Sequence, residues 1–328
     1  MEFRTKIGIP LSDIKINHRS QMSMFGSCFI ENIGEKLKLA KFDVDLNPFG
    51  ILYNPLSISQ AISYLIEGKR FGEEDIFEDR GLYHSFYYHS RFSDTDRSAF
   101  LERINSSIQQ SAVYLKKANS LFITFGTAYV YRHREQDIIV ANCHKLPAST
   151  FEHYRLYVGT IVDEWNSLIE RLKQFNPSLQ IIFTVSPIRH MKDGAHENQL
   201  SKSTLLLAID ELCRQHNNTT YFPSYEIVLD ELRDYRFYNE DMAHPNALAI
   251  KYIWERFSDV YFTDTTKQII AEWSKLKLAI SHRPFNQQTP DYKHFLKQTL
   301  LKLEAFSRKY PYIYCADDIT ELETKLQS

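Results

Sequence analysis

Short apolar runs alternate along the chain with longer stretches in which apolar residues recur every three or four positions. This alternation predicts an α/β sheet with helices on its faces. Met22 to Phe25 reads as the first strand, and Ile30, Ile33 and Leu37 place a helix from Phe29 to about Ala40. Phe42 to Leu46 alternates like a second strand. Pro55 suits a first helical turn, so it opens a helix carrying Ile58, Ala61, Ile62 and Leu65, which Gly68 closes. Leu121 to Phe125 and Ile181 to Val185 are compact apolar runs of the kind that parallel strands buried on both faces require, which puts them at the sheet's centre. A helix with Ile104 and Ile108 precedes the first of these runs. A hairpin near Tyr129 to Ala141 and a long helix from Ile161 to Leu172 separate the two. Further helices are expected from about Leu200 to Cys213 and after Pro245, the latter with Ala249, Ile250, Ile253 and Phe257 on one face. Beyond Asp264 the pattern becomes two helical segments, so residues 1–262 are read as the α/β domain and 263–328 as a helical extension.

Composition narrows the class. Of 328 residues, 43% are apolar and 24% charged, which excludes disordered and fibrous chains. The 39 basic and 41 acidic side chains leave a net charge of −2 with no single-sign run, so neither nucleic acid nor a membrane is expected as a partner. No stretch resembles a signal peptide's apolar core, and the expected location is the cytoplasm. Cys28, Cys143, Cys213 and Cys315 form no CxxC pair, which removes zinc-ribbon and dithiol readings. Glycine is scarce, 10 in all, so the positions where it appears carry information.

Nucleotide motifs are missing: there is no GxG, no Walker glycine ahead of Gly68-Lys69, and no second histidine after His196-Glu197 for a zincin. The GxSxG elbow is absent too. Two segments keep chemical content. Gly26-Ser27-Cys28-Phe29 lies between the first strand and its helix, where Ser27 is either a nucleophile at the sheet's carboxyl edge or a helix cap. Asp241-Met242-Ala243-His244 precedes a core helix and offers either a base with its orienting carboxylate or a cap with a surface histidine.

Together these residues resemble the SGNH (GDSL-like) hydrolase superfamily. Gly26 to Gly34, Pro48-Phe49-Gly50, Ser186 to His190 and Asp193 to Lys202 further resemble the GSCFA family within it. The resemblance implies a three-layer α/β/α sandwich with a mainly parallel, flavodoxin-like sheet. It also implies a cofactor-free serine esterase acting on an acyl ester, an O-acetylated carbohydrate being the leading class. In that reading Ser27 attacks, His244 moves the proton and Asp241 orients His244, while the oxyanion hole draws on the N–H groups of Ser27 and Gly50. The superfamily's asparagine donor is replaced by Ala128 in Gly126-Thr127-Ala128, which leaves Thr127 and Asn142 as candidate donors. His144, Arg189 and His190 are candidate substrate-binding residues.

Cys28, about 100° further round the helix, is read as a buried structural cysteine. Tyr83 to Ser90 is either an aromatic sugar-binding wall or an extended segment with one buried face. No metal site is expected from the scattered His84, His89, His190 and His196. A non-catalytic carbohydrate-binding protein and a metal-dependent hydrolase are the alternatives.

Overall fold

The computed structural model describes residues 4–10 and 12–327. The order of elements is β1 (Gln21–Gly26), α1 (Cys28–Leu39), β2 (Asp43–Leu46), α2 (Pro55–Glu67), β3 (Phe77–Asp79), β4 (Leu82–His84), α3 (Arg97–Leu115), β5 (Ser120–Phe125), β6 (Tyr129–His133), β7 (Ile139–Val140), β8 (Phe151–Arg155), α4 (Val158–Phe175), β9 (Gln180–Val185), α5 (Ala195–Gln215), β10 (Thr219–Tyr221), the short α6 (Ser224–Glu226), α7 (Ala247–Tyr261), α8 (Asp264–Ile280), α9 (Pro290–Lys309) and α10 (Ala316–Gln327). The central sheet has the order β10-β9-β5-β1-β2. Its pairs β1/β5, β5/β9 and β9/β10 are parallel, with Phe25 opposite Ile123 and Ile123 opposite Phe183. This is the mainly parallel α/β architecture the apolar runs imply.

Strand alternation explains why those runs are continuous. Leu121, Ile123 and Phe125 of β5 and Ile181, Phe183 and Val185 of β9 join one core with Ile58 and Ile62 of α2, Trp165 and Ile169 of α4, and Leu205 and Ile209 of α5. The residues between them, among them Phe122 and Ile182, are buried on the other face. A strand covered on both sides cannot alternate apolar with polar. The hairpin expected near Tyr129 is β6/β7, antiparallel, and β8 pairs with β6 to make a small separate sheet.

By internal packing the described chain forms two units. The larger is built mainly from Gln21–Glu35 and Val44–Arg256; the smaller takes Lys36–Asp43 and the chain from Phe257 on. In the smaller unit α8, α9 and α10 enclose a core of Ile269, Trp273, Leu296, Leu303, Phe306 and Leu322. There the Trp273 indole N–H donates to Leu39 O at 2.8 Å, and Lys41 pairs with Asp318. Two helical segments were expected here, and α10 is a third. No helix among the described residues is long and apolar enough to cross a membrane.

Candidate active site

In the central sheet the connection from β1 runs to β2 on one side, while β5 flanks β1 on the other. The crevice between the carboxyl ends of β1 and β5 is therefore the switch point at which open α/β sheets bind ligands. Gly26 ends β1 there with φ 141°, and a side chain on it would meet Thr124 O at 2.3 Å. The turn is open only to glycine. Asn47 holds it from below, its Oδ1 accepting from Gly26 N at 2.9 Å.

The next two residues divide the work of the turn. Ser27 is 1% exposed, and its Oγ accepts from Phe29 N at 3.4 Å, the bond of a helix cap. Cys28, the first residue of α1, is half-buried, and its Sγ lies 3.8 Å from His244 Nε2. Burial pushes the Cys28 thiol up, and the Cys28 and Phe29 N–H groups directed at the sulfur work against that push.

His244 reaches this place through a loop fixed at several points. Asn246 Oδ1 accepts from Leu248 N and Ala249 N at the start of α7, while its Nδ2 donates to Arg236 O and Tyr238 O. Asp241 Oδ1 accepts from Ala243 N and His244 N, both at 2.9 Å, and Oδ2 accepts from His244 Nδ1 at 2.5 Å. These backbone and side-chain bonds hold the Asp241 carboxyl down at about 2. With Nδ1 donating to Asp241, Nε2 carries the lone pair that faces Cys28. The structure thus brings Asp241 and His244 together as the spacing suggests, but next to Cys28. Ser27 is expected opposite His244; in the structure the side-chain atom within reach of His244 Nε2 is Cys28 Sγ, while Ser27 Oγ accepts from Phe29 N.

The other expected donors have contacts of their own. Gly50, at φ 82°, donates its N–H to Asn47 O at 2.7 Å and packs on His89, so it closes a turn. Thr127 Oγ1 is paired with Ser201 Oγ at 3.1 Å and accepts from Tyr129 N. Asn142 Oδ1 accepts from His144 N within its own loop. His144 is a core histidine: its Nε2 is bonded to Ser85 O at 2.8 Å, its ring stands against Phe77 and His84, and burial lowers it to about 4. Arg189 is exposed. Tyr83 lies at the short β3/β4 ladder, and Phe86 packs in a buried cluster with Val140 and Phe151.

His190 does border the site. Its ring meets Tyr53 edge-on at 5.6 Å, and its Nε2 is buried without a hydrogen-bond partner. Burial, with Lys202 and His244 nearby adding to it, lowers it to about 4, so the ring is neutral at pH 7. Burial likewise lifts the Tyr53 phenol to about 12, with Cys28 and Glu31 contributing.

One helix face ties these loops together. Asn198, Ser201 and Lys202 fall at the i, i+3, i+4 spacing that shares a side of α5. Asn198 Oδ1 accepts from His190 N at 2.9 Å, and Ser201 Oγ accepts from Ala128 N at 2.8 Å. Lys202 Nζ donates to Gly126 O at 2.6 Å and Ser186 O at 2.8 Å. Sequence reasoning passed over these roles, although the polar triplet on an otherwise buried face was the signal. Ala128, where an asparagine was expected, is wholly buried and holds Leu156 N through its carbonyl. Among the described residues no three His, Cys, Asp or Glu side chains are grouped to hold a metal ion.

The GSCFA family model matches residues 21–257, and the model described as GSCFA domain protein, C-terminal domain, matches residues 273–328. Among curated proteins no relative matches. One similar solved structure is the carbohydrate esterase family 2 enzyme with a carbohydrate binding domain from Corynascus thermopiles (Myceliophthora fergusii). It has 13% identity, a TM-score of 0.37, and covers 80% of this chain and 68% of that one. Another is a carbohydrate esterase family 3 structure from Talaromyces cellulolyticus, with 8% identity, a TM-score of 0.34, and coverage of 77% and 99%.

Proposed function

We propose, from the premise that this chain belongs to the GSCFA family, that it is an acyl-ester hydrolase whose nucleophile is Cys28. The observation that carries the reading is the line of contacts Asp241 Oδ2, His244 Nδ1, His244 Nε2 and Cys28 Sγ, at 2.5 Å and 3.8 Å. A nucleophile, a base within reach of it and a carboxylate that fixes the base's tautomer are the parts acyl transfer needs.

Cys28 Sγ attacks the acyl carbonyl carbon while its proton passes to His244 Nε2. A helix N-terminus favours negative charge, so the start of α1 stabilises the charge that develops on the carbonyl oxygen. As the tetrahedral adduct collapses, His244 returns the proton to the departing alkoxide, leaving the acyl group on sulfur as a thioester. Water, deprotonated by His244, then releases the carboxylate and restores the thiol. Neutral His190 and protonated Tyr53 supply donors on the wall of the site. An O-acylated carbohydrate is the substrate class that the superfamily resemblance suggests.

Hydrolysis of a short-chain aryl acetate tests this. Cys28→Ala and His244→Ala are each expected to lower kcat/KM by at least ~10³-fold, and Ser27→Ala by less than about tenfold, the cost of a lost cap. Activity kept in Cys28→Ala and lost in Ser27→Ala would return the nucleophile to Ser27.

A further inference from the structure

One guanidinium closes a circuit of contacts around the nucleophile turn. Arg91 Nη2 donates to Asn47 O at 2.7 Å, and Arg91 Nη1 donates to Glu31 Oε1 at 2.5 Å. Asn47 is the residue that holds the β1 turn: its Oδ1 accepts from Gly26 N, and its own N–H donates to Met24 O, both at 2.9 Å. It is buried and sits at φ 47°, a left-handed conformation that a residue other than glycine keeps only where its surroundings fix it. The arginine is itself anchored, since His89 Nδ1 accepts from Arg91 N at 3.2 Å. Glu31 follows Cys28 by three positions in α1, and residues three apart on a helix are neighbours on one face. The circuit therefore runs from Cys28 through Glu31, Arg91 and Asn47 back to Gly26.

We infer that Arg91 is a positioning residue for Cys28: it ties the first turn of α1 to the β1 turn and balances the charge of Glu31, so that a thiolate can form one helical turn away. Without this partner, Glu31 would set an unopposed negative charge on the face it shares with Cys28, and like charges at that spacing oppose each other. When the Sγ–H bond breaks and the proton passes to His244 Nε2, the electron pair left on sulfur meets an ion pair rather than a bare carboxylate. Tyr53 ahead of α2, Lys202 of α5 and His244 ahead of α7 also face Cys28. Burial pushes the Tyr53 phenol to about 12, so it stays neutral. Lys202 favours the ionised sulfur, whereas Glu31 disfavours it. Beside Arg91, burial lowers His89 and the guanidinium lowers it further, so that ring is neutral at pH 7.

The inference rests on Cys28 as nucleophile, and its test reads the ionisation of the sulfur rather than turnover. The pH midpoint of Cys28 alkylation by iodoacetamide, located by peptide mass spectrometry, is measured in five chains. These are the wild type, Arg91→Gln, Arg91→Lys, Glu31→Gln and the double variant Glu31→Gln/Arg91→Gln. The midpoint is expected to rise by about half a pH unit or more in Arg91→Gln and to fall by about as much in Glu31→Gln. Arg91→Lys keeps the charge and the double variant removes both charges together, so each is expected within a few tenths of the wild type. A purely structural role for Arg91 predicts instead that the double variant and Arg91→Lys shift as far as Arg91→Gln. That result, or midpoints that coincide in all the folded variants, overturns the inference. Should Arg91→Gln not fold, Glu31→Gln against the wild type decides, and an unmoved midpoint overturns the coupling. Turnover surviving in Cys28→Ala refutes the nucleophile assignment alone, and it is read apart from these midpoints.

Discussion

Ser27 and Cys28 are neighbours in sequence, yet a strand ends and a helix begins between them. That junction decides which side chain faces the histidine. The residue before the helix satisfies a free backbone N–H, while the first residue inside it sits where the helix's uncompensated N–H groups converge. A turn of about 100° per helical residue had argued for Ser27 and against Cys28. The same rotation holds in the structure, but the sulfur is the atom on the His244 side. The Asp241/His244 pair was legible because three residues of loop suffice for a carboxylate to accept from both the backbone and the ring of the histidine that follows. Its target was not, because a helix start has no register until the last strand residue is known. Asp241→Asn is expected to lower kcat by about 10²–10⁴-fold, since an amide no longer selects the Nδ1–H tautomer. Steady-state hydrolysis of the same aryl acetate measures it.

Among the elements, β5 and β9 were readable because burial on both faces leaves compact, mostly apolar runs broken only by Thr124 and Thr184, and β1 because Met22, Met24 and Phe25 cluster around the single polar Ser23. The edge strand β10, Thr219-Thr220-Tyr221, carries no such run and was missed. So was the β3/β4 ladder, whose turn places Arg80 and Gly81 at φ 51° and 76° without the asparagine or aspartate that usually announces such a turn. Helix α5 was placed correctly in kind but started late, since its first turns present Asn198, Ser201 and Lys202 to buried loops rather than apolar groups to a core. Two glycines separate a site constraint from a local one. Gly26→Ala forces a side chain against Thr124 O and is expected to cost at least about 2 kcal/mol. Gly68→Ala, at φ 63° with open space around it, is expected to cost about 1 kcal/mol. Urea unfolding of the two variants measures the contrast, and equal costs would contradict the proposed tightness of the β1 turn.

For the whole molecule, composition indicated an ordinary α/β protein of balanced charge, and the pattern changed to helical segments beyond Asp264. What it could not give was the electrostatic cost of the interior. Burial holds His144 and His190 at about 4, below the ordinary value of 6.5. The unfolded chain takes up these protons below pH 6.5 while the folded chain does not. Stability is therefore expected to fall as pH drops from about 6.5 toward 4, and to level once the folded rings titrate. His144→Gln, which keeps a donor for Ser85 O, is expected to flatten that slope in a series of Tm measurements against pH. An unchanged slope would contradict the burial of a neutral His144.

The central claim is that the acyl group is carried by Cys28. It is tested most directly by acid-quenching the wild-type chain during hydrolysis of an aryl acetate and mapping the modified peptide by mass spectrometry. The account predicts acetate on Cys28, removable by neutral hydroxylamine as a thioester is. Acetate on Ser27 would contradict it.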